Sequence, residues 1–342
     1  MPDRSVAGDQ TPQSGSSDED NRIFNERPTR VDTALTPALN ITIYRDLVAV
    51  PGRAALYTND GKRIDSTNRV VIPESDRSFQ KFYKHSPSPI EVPDCVAHEE
   101  PVLYLGQALD HYGHFLTDSM ARMWAALNVR LPCLMLDMSR MSGSYGSEIL
   151  AALHLSVISP TAPTIYRTVW VPYPAFTRNG HPAPEADAAH LRVTTALYQP
   201  GQPNRWSKPV FLSRSRFNSR IRSTDSETEA ALEQTMAEAG FEIVYPETLP
   251  LAEQIAIFNE SPTIVGMLGS AFHTALFSRR DYRGRIVLLT WSDKGTTLYK
   301  NVDALKGYTA HYVRCLERTE DGLVRVDLTA AIDGLRQIQV IN

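Results

Sequence analysis

The chain has 342 residues, 42% of them hydrophobic, and 35 Lys+Arg against 39 Asp+Glu, so its formal net charge of −4 gives no electrostatic case for nucleic acid or an anionic membrane as the main partner. That length is long for one core and comfortable for two domains, while 8% aromatic and 22% charged residues exclude wholesale disorder and coiled coil. Three distant cysteines, Cys95, Cys133 and Cys315, exclude a disulfide scaffold and a cysteine zinc cluster. With no apolar run of transmembrane length and no hydrophobic leader, the sequence predicts a soluble, cytoplasmic protein without a membrane span.

Residues 1–35 are poor in apolar side chains and rich in Ser, Asp, Pro, Gln and Gly, which predicts a disordered tail. Structure is expected to begin with an extended run over residues 40–50, and Asp60-Gly61-Lys62 to make a tight turn. Val102-Leu103-Tyr104-Leu105 has the character of a buried strand. Phe115, Met120, Met123, Trp124 and Leu127 then recur near helical spacing and predict a helix of about 15 residues. Strands follow at 131–136 and 165–171, with helices over 148–153 and 186–198. Pro200-Gly201-Gln202-Pro203 is the strongest breaker cluster and the expected domain boundary. It divides an N-terminal α/β domain (36–202) from a C-terminal α/β domain (203–342).

The second half alternates strand and helix with short connections. Val210-Phe211-Leu212 is a strand; Thr224 and Glu227 form a capping box for a helix running to Gly240; residues 241–245 are the next strand. Leu251, Ile255 and Phe258 mark one face of a helix over 250–260. Thr263-Ile264-Val265, a helix over 271–277 and a strand over 286–290 complete the pattern. This is the signature of a parallel, doubly wound sheet, and two such domains predict a ligand cleft between them.

Three clusters carry candidate chemistry. In Asp110-His111-Tyr112-Gly113-His114-Phe115-Leu116-Thr117-Asp118, His114 and Asp118 are four apart and share a helical face. A carboxylate beside an imidazole fixes its tautomer and raises its basicity, the requirement for a general base; His111 lies one turn earlier. The same residues also fit a helix-capping cluster, and less well a metal site, since His-x-x-His-x-x-x-Asp is not a standard spacing. Ser213-Arg214-Ser215-Arg216, backed by Arg220 and Arg222, stands at a strand end where guanidinium forks would meet phosphate, or where a basic loop would simply be solvated. Gly266-Met267-Leu268-Gly269-Ser270-Ala271 joins a strand to a helix through small residues that leave N–H groups open to a diphosphate, although such turns also serve packing alone. Glu253, early on its helix, suits ribose hydroxyls or the helix dipole equally. The chain lacks G-x-G-x-x-G, a P-loop and a G-x-S-x-G elbow, and its one Asp-x-Asp triplet, Asp18-Glu19-Asp20, lies in the segment expected to be a disordered tail.

Taken together these stretches resemble glycosyltransferase family 61, from about Leu47 to Arg279. The resemblance is carried by 114–124 (HFLTDSMARMW), 211–215 (FLSRS), 251–258 (LAEQIAIF) and 265–271 (VGMLGSA), in that order. It implies a GT-B-like α/β fold, two Rossmann-like domains facing across a cleft, and an inverting, metal-independent enzyme with a nucleotide-sugar as co-substrate and no further cofactor. It implies donor phosphates on Arg214 and Arg216, ribose on Glu253, diphosphate on Gly269, Ser270 and Ala271, and an acceptor-side catalytic face with His114, Asp118 and His111. Many eukaryotic members carry Gly-Pro-His-Gly-Ala where this chain has Gly266-Met267-Leu268-Gly269-Ser270, so the imidazole's work is absent or falls to His273, one turn later. The resemblance further implies a bacterial, surface-polysaccharide type with a glycan or lipid-linked glycan acceptor and peripheral membrane association. A non-catalytic nucleotide-sugar or glycan-binding module is the alternative from a different class.

Overall fold

The structure is a computed structural model that describes residues 23–24, 39–68, 87–177, 182–200, 205–216, 224–291, 297–320 and 322–342. Residues 201–203 of the breaker cluster, and with them the expected boundary, lie outside the described residues, as do Arg220, Arg222 and Asp18-Glu19-Asp20.

The chain folds as mixed α/β with two main sheets. The first contains β2 (Ile41–Ala49), β3 (Leu56–Tyr57), β4 (Val96–His98), β5 (Val102–Gln107), β6 (Cys133–Leu136), β7 (Val157–Ile158) and β8 (Thr164–Pro172), in the order β3-β2-β8-β5-β6-β7 with β4 beside β8. Its spine is the long antiparallel pairing of β2 with β8, both rich in β-branched and aromatic residues, while β5, β6 and β7 run parallel. The expected turn at Asp60-Gly61-Lys62 follows β3, and Tyr57 bridges back to Arg63.

The second sheet has the order β1-β13-β12-β11-β9-β10, from β1 (Ile23–Phe24), β9 (Val210–Leu212), β10 (Glu242–Val244), β11 (Thr263–Met267), β12 (Arg285–Thr290) and β13 (His311–Arg314). Strands β9 to β13 are parallel, as the alternation of elements predicts. Two details differ from expectation. Strand β11 continues through Gly266 and Met267, because both still pair with β12. Ile23 and Phe24, inside the segment read as a disordered tail, pair antiparallel with β13, so at those two positions an edge strand supplies the partner that composition alone does not reveal.

In the first half α1 (Tyr112–His114) follows β5, α2 (Tyr145–Ala152) follows β6 and α3 (Pro184–Leu197) follows β8; the second sheet carries α4 (Ser226–Glu238), α5 (Leu251–Glu260), α6 (Thr297–Lys306) and α7 (Leu328–Gln337), and β14 (Leu316–Arg318) and β15 (Val324–Val326) form a hairpin beyond β13. The helix of about 15 residues expected from Phe115, Met120, Met123, Trp124 and Leu127 is not one regular helix: α1 passes into a π turn (Phe115–Ser119) and then 3-10 turns at Met120–Arg122 and Ala125–Leu127. Phe115, Leu116, Thr117, Met120, Ala121, Arg122 and Met123 are all buried, so tertiary packing on every side overrides the local ladder. Arg122 is the extreme case; enclosed, it donates to the carbonyl oxygens of Pro172, Ser66 and Asn68. The cap of α4 is Asp225, not Thr224: its carboxylate accepts from the N–H groups of Glu227 and Thr228. Asp is the better acceptor for a helix N-terminus because it adds charge to the same hydrogen bonds.

One contiguous core cluster joins Leu103, Phe115 and Met135 from the first half to Leu212, Ile264 and Phe272 from the second. The opposite face of the second sheet has its own cluster, with Phe211, Val265 and Val287 under α4 and α7. A buried ion pair, Lys306 Nζ to Asp187 Oδ1 at 2.6 Å, ties α6 to α3, and Arg280 Nε reaches the other oxygen of Asp187 at 2.8 Å.

Candidate functional site

The second sheet sets the location. From β9 the chain crosses through α4 to β10 on one side, and from β10 through α5 to β11 on the other side of β9. The connection therefore reverses direction between β9 and β11, and ligands of open α/β sheets bind outside the carboxyl ends at such a point. Arg214 follows β9 and Gly269 follows β11. A Cβ placed on Gly269 would be 3.5 Å from Arg214 Nη1, so the two expected phosphate elements face each other across the crevice.

The turn after β11 begins a 3-10 helix, Ser270–Phe277, where a helix over 271–277 is expected. Its first intrahelical bond runs from Phe272 N–H to Gly269 O at 3.1 Å, so the N–H groups of Gly269, Ser270 and Ala271 precede the helical ladder. The Arg214 loop is held from beneath: its own N–H donates to Glu229 Oε1 at 3.1 Å, and Ser213 Oγ donates to Glu233. Burial pushes the Glu229 carboxyl above its ordinary range. Arg216 lies elsewhere, its guanidinium 3.8 Å over the Tyr245 ring, whose hydroxyl donates to Glu233 Oε2 at 3.4 Å. Glu253 is in the first turn of α5 and pairs with Arg205 at 2.8 Å.

The histidine cluster meets the same turn from the other half of the chain. His111 caps α1, its ring 4.5 Å from that of His114 between centroids. His114 Nδ1 is 3.4 Å from Asp118 Oδ2, with the carboxylate side chain 7% exposed and the imidazole 29%. The i, i+4 contact thus forms although the backbone there is a π turn. Asp110 accepts from the N–H and hydroxyl of Ser142, which hold its carboxyl below the usual carboxylate range. Tyr112 and Thr274 share a hydroxyl hydrogen bond of 2.8 Å. Gly113 faces His273 so closely that a Cβ would come within 2.4 Å of its Nδ1 and 3.3 Å of Ser270 Cβ. His273 is buried and stacks on Tyr299, with centroids 4.7 Å apart and planes at 16°.

The three clusters, separate in the sequence, therefore converge on 269–274. The sequence reading missed Glu229, Glu233 and Tyr299, which support the loop and the imidazole. Only Gly113 left a signal, since a glycine opening a helix marks a close approach. Among the described residues no group of three His, Cys, Asp or Glu side chains is arranged to hold a metal ion, and no helix is long and apolar enough to cross a membrane.

The family model Glycosyltransferase 61 matches residues 112–286, just over half of the chain. The match opens inside the histidine cluster at Tyr112 and closes in β12; it contains His114, Asp118 and the other two clusters, and leaves out Asp110 and His111. No curated protein matches the chain.

Proposed function

The chain belongs to glycosyltransferase family 61 and is a glycosyltransferase; from that premise we propose that it is an inverting enzyme of GT-B type, with a nucleotide-sugar donor and a glycan or lipid-linked glycan acceptor. The expected domains, 36–202 on the acceptor side and 203–342 on the donor side, meet in this reading where Gly113 abuts His273. The observation that carries it is the approach of Arg214 to Gly269 at the switch point, with His114 and Asp118 brought to the neighbouring turn. The acceptor hydroxyl attacks the anomeric carbon in one displacement and His114 takes its proton, oriented by Asp118. His111 keeps α1 capped. The diphosphate leaves into the Arg214 fork and the N–H groups of Gly269, Ser270 and Ala271, which stabilise the charge that develops on it. Arg216, stacked on Tyr245, adds positive charge at one remove. Glu253 takes the ribose, with Arg205 as its partner in the free enzyme. His273 acts as the wall against which α1 seats. Such an enzyme would work without a metal, at the cytoplasmic side of surface-polysaccharide synthesis in a bacterium.

The test is titration with nucleoside diphosphates, with and without excess EDTA, on wild type, Arg214→Lys and Arg214→Ala. Arg214→Ala should weaken binding by about 1.5–3 kcal/mol, the worth of a charged hydrogen bond. Arg214→Lys should also be damaging, because it loses the bidentate fork. Transfer should persist in EDTA. Unchanged binding by Arg214→Ala, or activity that EDTA removes and manganese restores, would reject this site or its metal-free chemistry respectively.

A further inference from the structure

An exposed aromatic stands at the same carboxyl edge of the second sheet and plays no part in the site above. Trp291 directly follows Thr290, the last residue of β12, and is 39% exposed. Together with Leu316, Glu317, Arg318 and Val324 it lines an open groove of about 410 Å³.

The far wall of that groove is connected to the Arg214 loop. Val324 bridges Thr224 and accepts from Asp225 N–H at 2.8 Å. Thr224 donates to the Glu229 side chain, and Glu229 accepts the N–H of Arg214. The strand order places β12 two strands from β9, which is about 10 Å at ~4.8 Å per strand. A nucleoside diphosphate whose phosphates lie between Arg214 and Gly269 spans that separation.

The two faces of the sheet decide which end of the donor goes where. The helix Ser270–Phe277 packs with Phe115 on one face, so the reacting sugar lies toward His114 on that side. Leu316 and Val324 belong to the cluster on the opposite face, with Val265 and Val287. The groove is thus on the side left for the other end of the nucleotide. We propose that Trp291 is the platform on which the donor's nucleobase stacks, with Arg318 and Glu317 at the groove offering hydrogen-bonding groups to the base edge; this rests on the donor-site reading above. An aromatic platform suits every base by its face, and the charged pair at the rim then discriminates among them.

Calorimetric titration with uridine, guanosine, adenosine and thymidine diphosphates, and with inorganic pyrophosphate, separates the inference from the reading beneath it. In Trp291→Ala the tightest nucleoside diphosphate should weaken about 5- to 150-fold, the range for loss of one stacked base. Trp291→Phe should recover most of that, and pyrophosphate binding should be unchanged in both. Arg214→Ala should weaken nucleoside diphosphate and pyrophosphate alike. Unchanged nucleoside diphosphate binding by Trp291→Ala, an equal loss for pyrophosphate, or wild type that prefers no nucleoside diphosphate to pyrophosphate would each overturn the platform. Wild type that binds neither probe would overturn the donor site itself, and the platform with it.

Discussion

Gly113→Ala probes the seam between the histidine cluster and the turn after β11. The added Cβ would be 2.4 Å from His273 Nδ1, 3.0 Å from its Cε1 and 3.3 Å from Ser270 Cβ. Ordinary contact needs about 3.5 Å or more, so the seam must open by about 1 Å. The imidazole cannot easily yield, because it is 5% exposed and stacked flat on Tyr299. Forced overpacking costs about 1–3 kcal/mol, and the better helix propensity of Ala offsets up to about 1 kcal/mol of that. The net expectation is a loss of about 1–2 kcal/mol in stability. A shift of about 1 Å in a reacting group can cost on the order of 100-fold in rate, so turnover should suffer more than folding. Urea unfolding and steady-state transfer measure the two effects. Gly240→Ala is the control: its φ of +89° disfavours a side chain but nothing lies within 4 Å of the added carbon. It should lose about 1 kcal/mol and keep its turnover. Wild-type activity and stability in Gly113→Ala would refute the seam, and a stability loss with full activity would make it mere packing.

Asp303→Asn should change how stability depends on pH. Burial pushes the Asp303 carboxyl up to about 7, and Tyr312 donates to it at 2.8 Å. The folded state therefore holds a proton that the unfolded chain releases, and this contribution is lost as pH rises from about 4 through 7. Denaturant midpoints should fall less between pH 5 and pH 8 in the variant than in wild type, and parallel profiles would contradict the assignment. Lys306→Met should cost about 3–5 kcal/mol, since it removes one side of a fully buried pair. The Asp187→Asn/Lys306→Met double variant should recover part of that loss in the same unfolding assay, and strictly additive losses would count against the coupling.

The second half of the chain was largely legible because its elements are short and punctuated. Breakers, caps and β-branched runs in 210–290 each specify a local state that the parallel sheet then uses. The segment 115–127 was not, because helical spacing predicts a face toward solvent and this segment has none: Phe115, Met120 and Met123 are all enclosed. Ile23 and Phe24 escaped because their partner, β13, is nearly 290 residues away and only the folded edge reveals it. In the candidate site, residue chemistry singled out His114, Asp118, Arg214 and Gly269, and the switch-point rule explains why the last two meet. Glu229 and Tyr299 were silent for a simple reason. A buried carboxylate under a loop and one in solvent are the same letter, and only packing separates them.

In the proposed reaction the two halves of the chain divide the work, with donor held at Arg214 and Gly269 and the proton taken at His114. Measuring donor affinity and transfer rate together on His114→Ala tests this most directly. Nucleoside diphosphate binding should stay within about twofold of wild type while turnover falls by about two to four orders of magnitude. Unimpaired transfer would make the histidine cluster a structural cap and contradict that division.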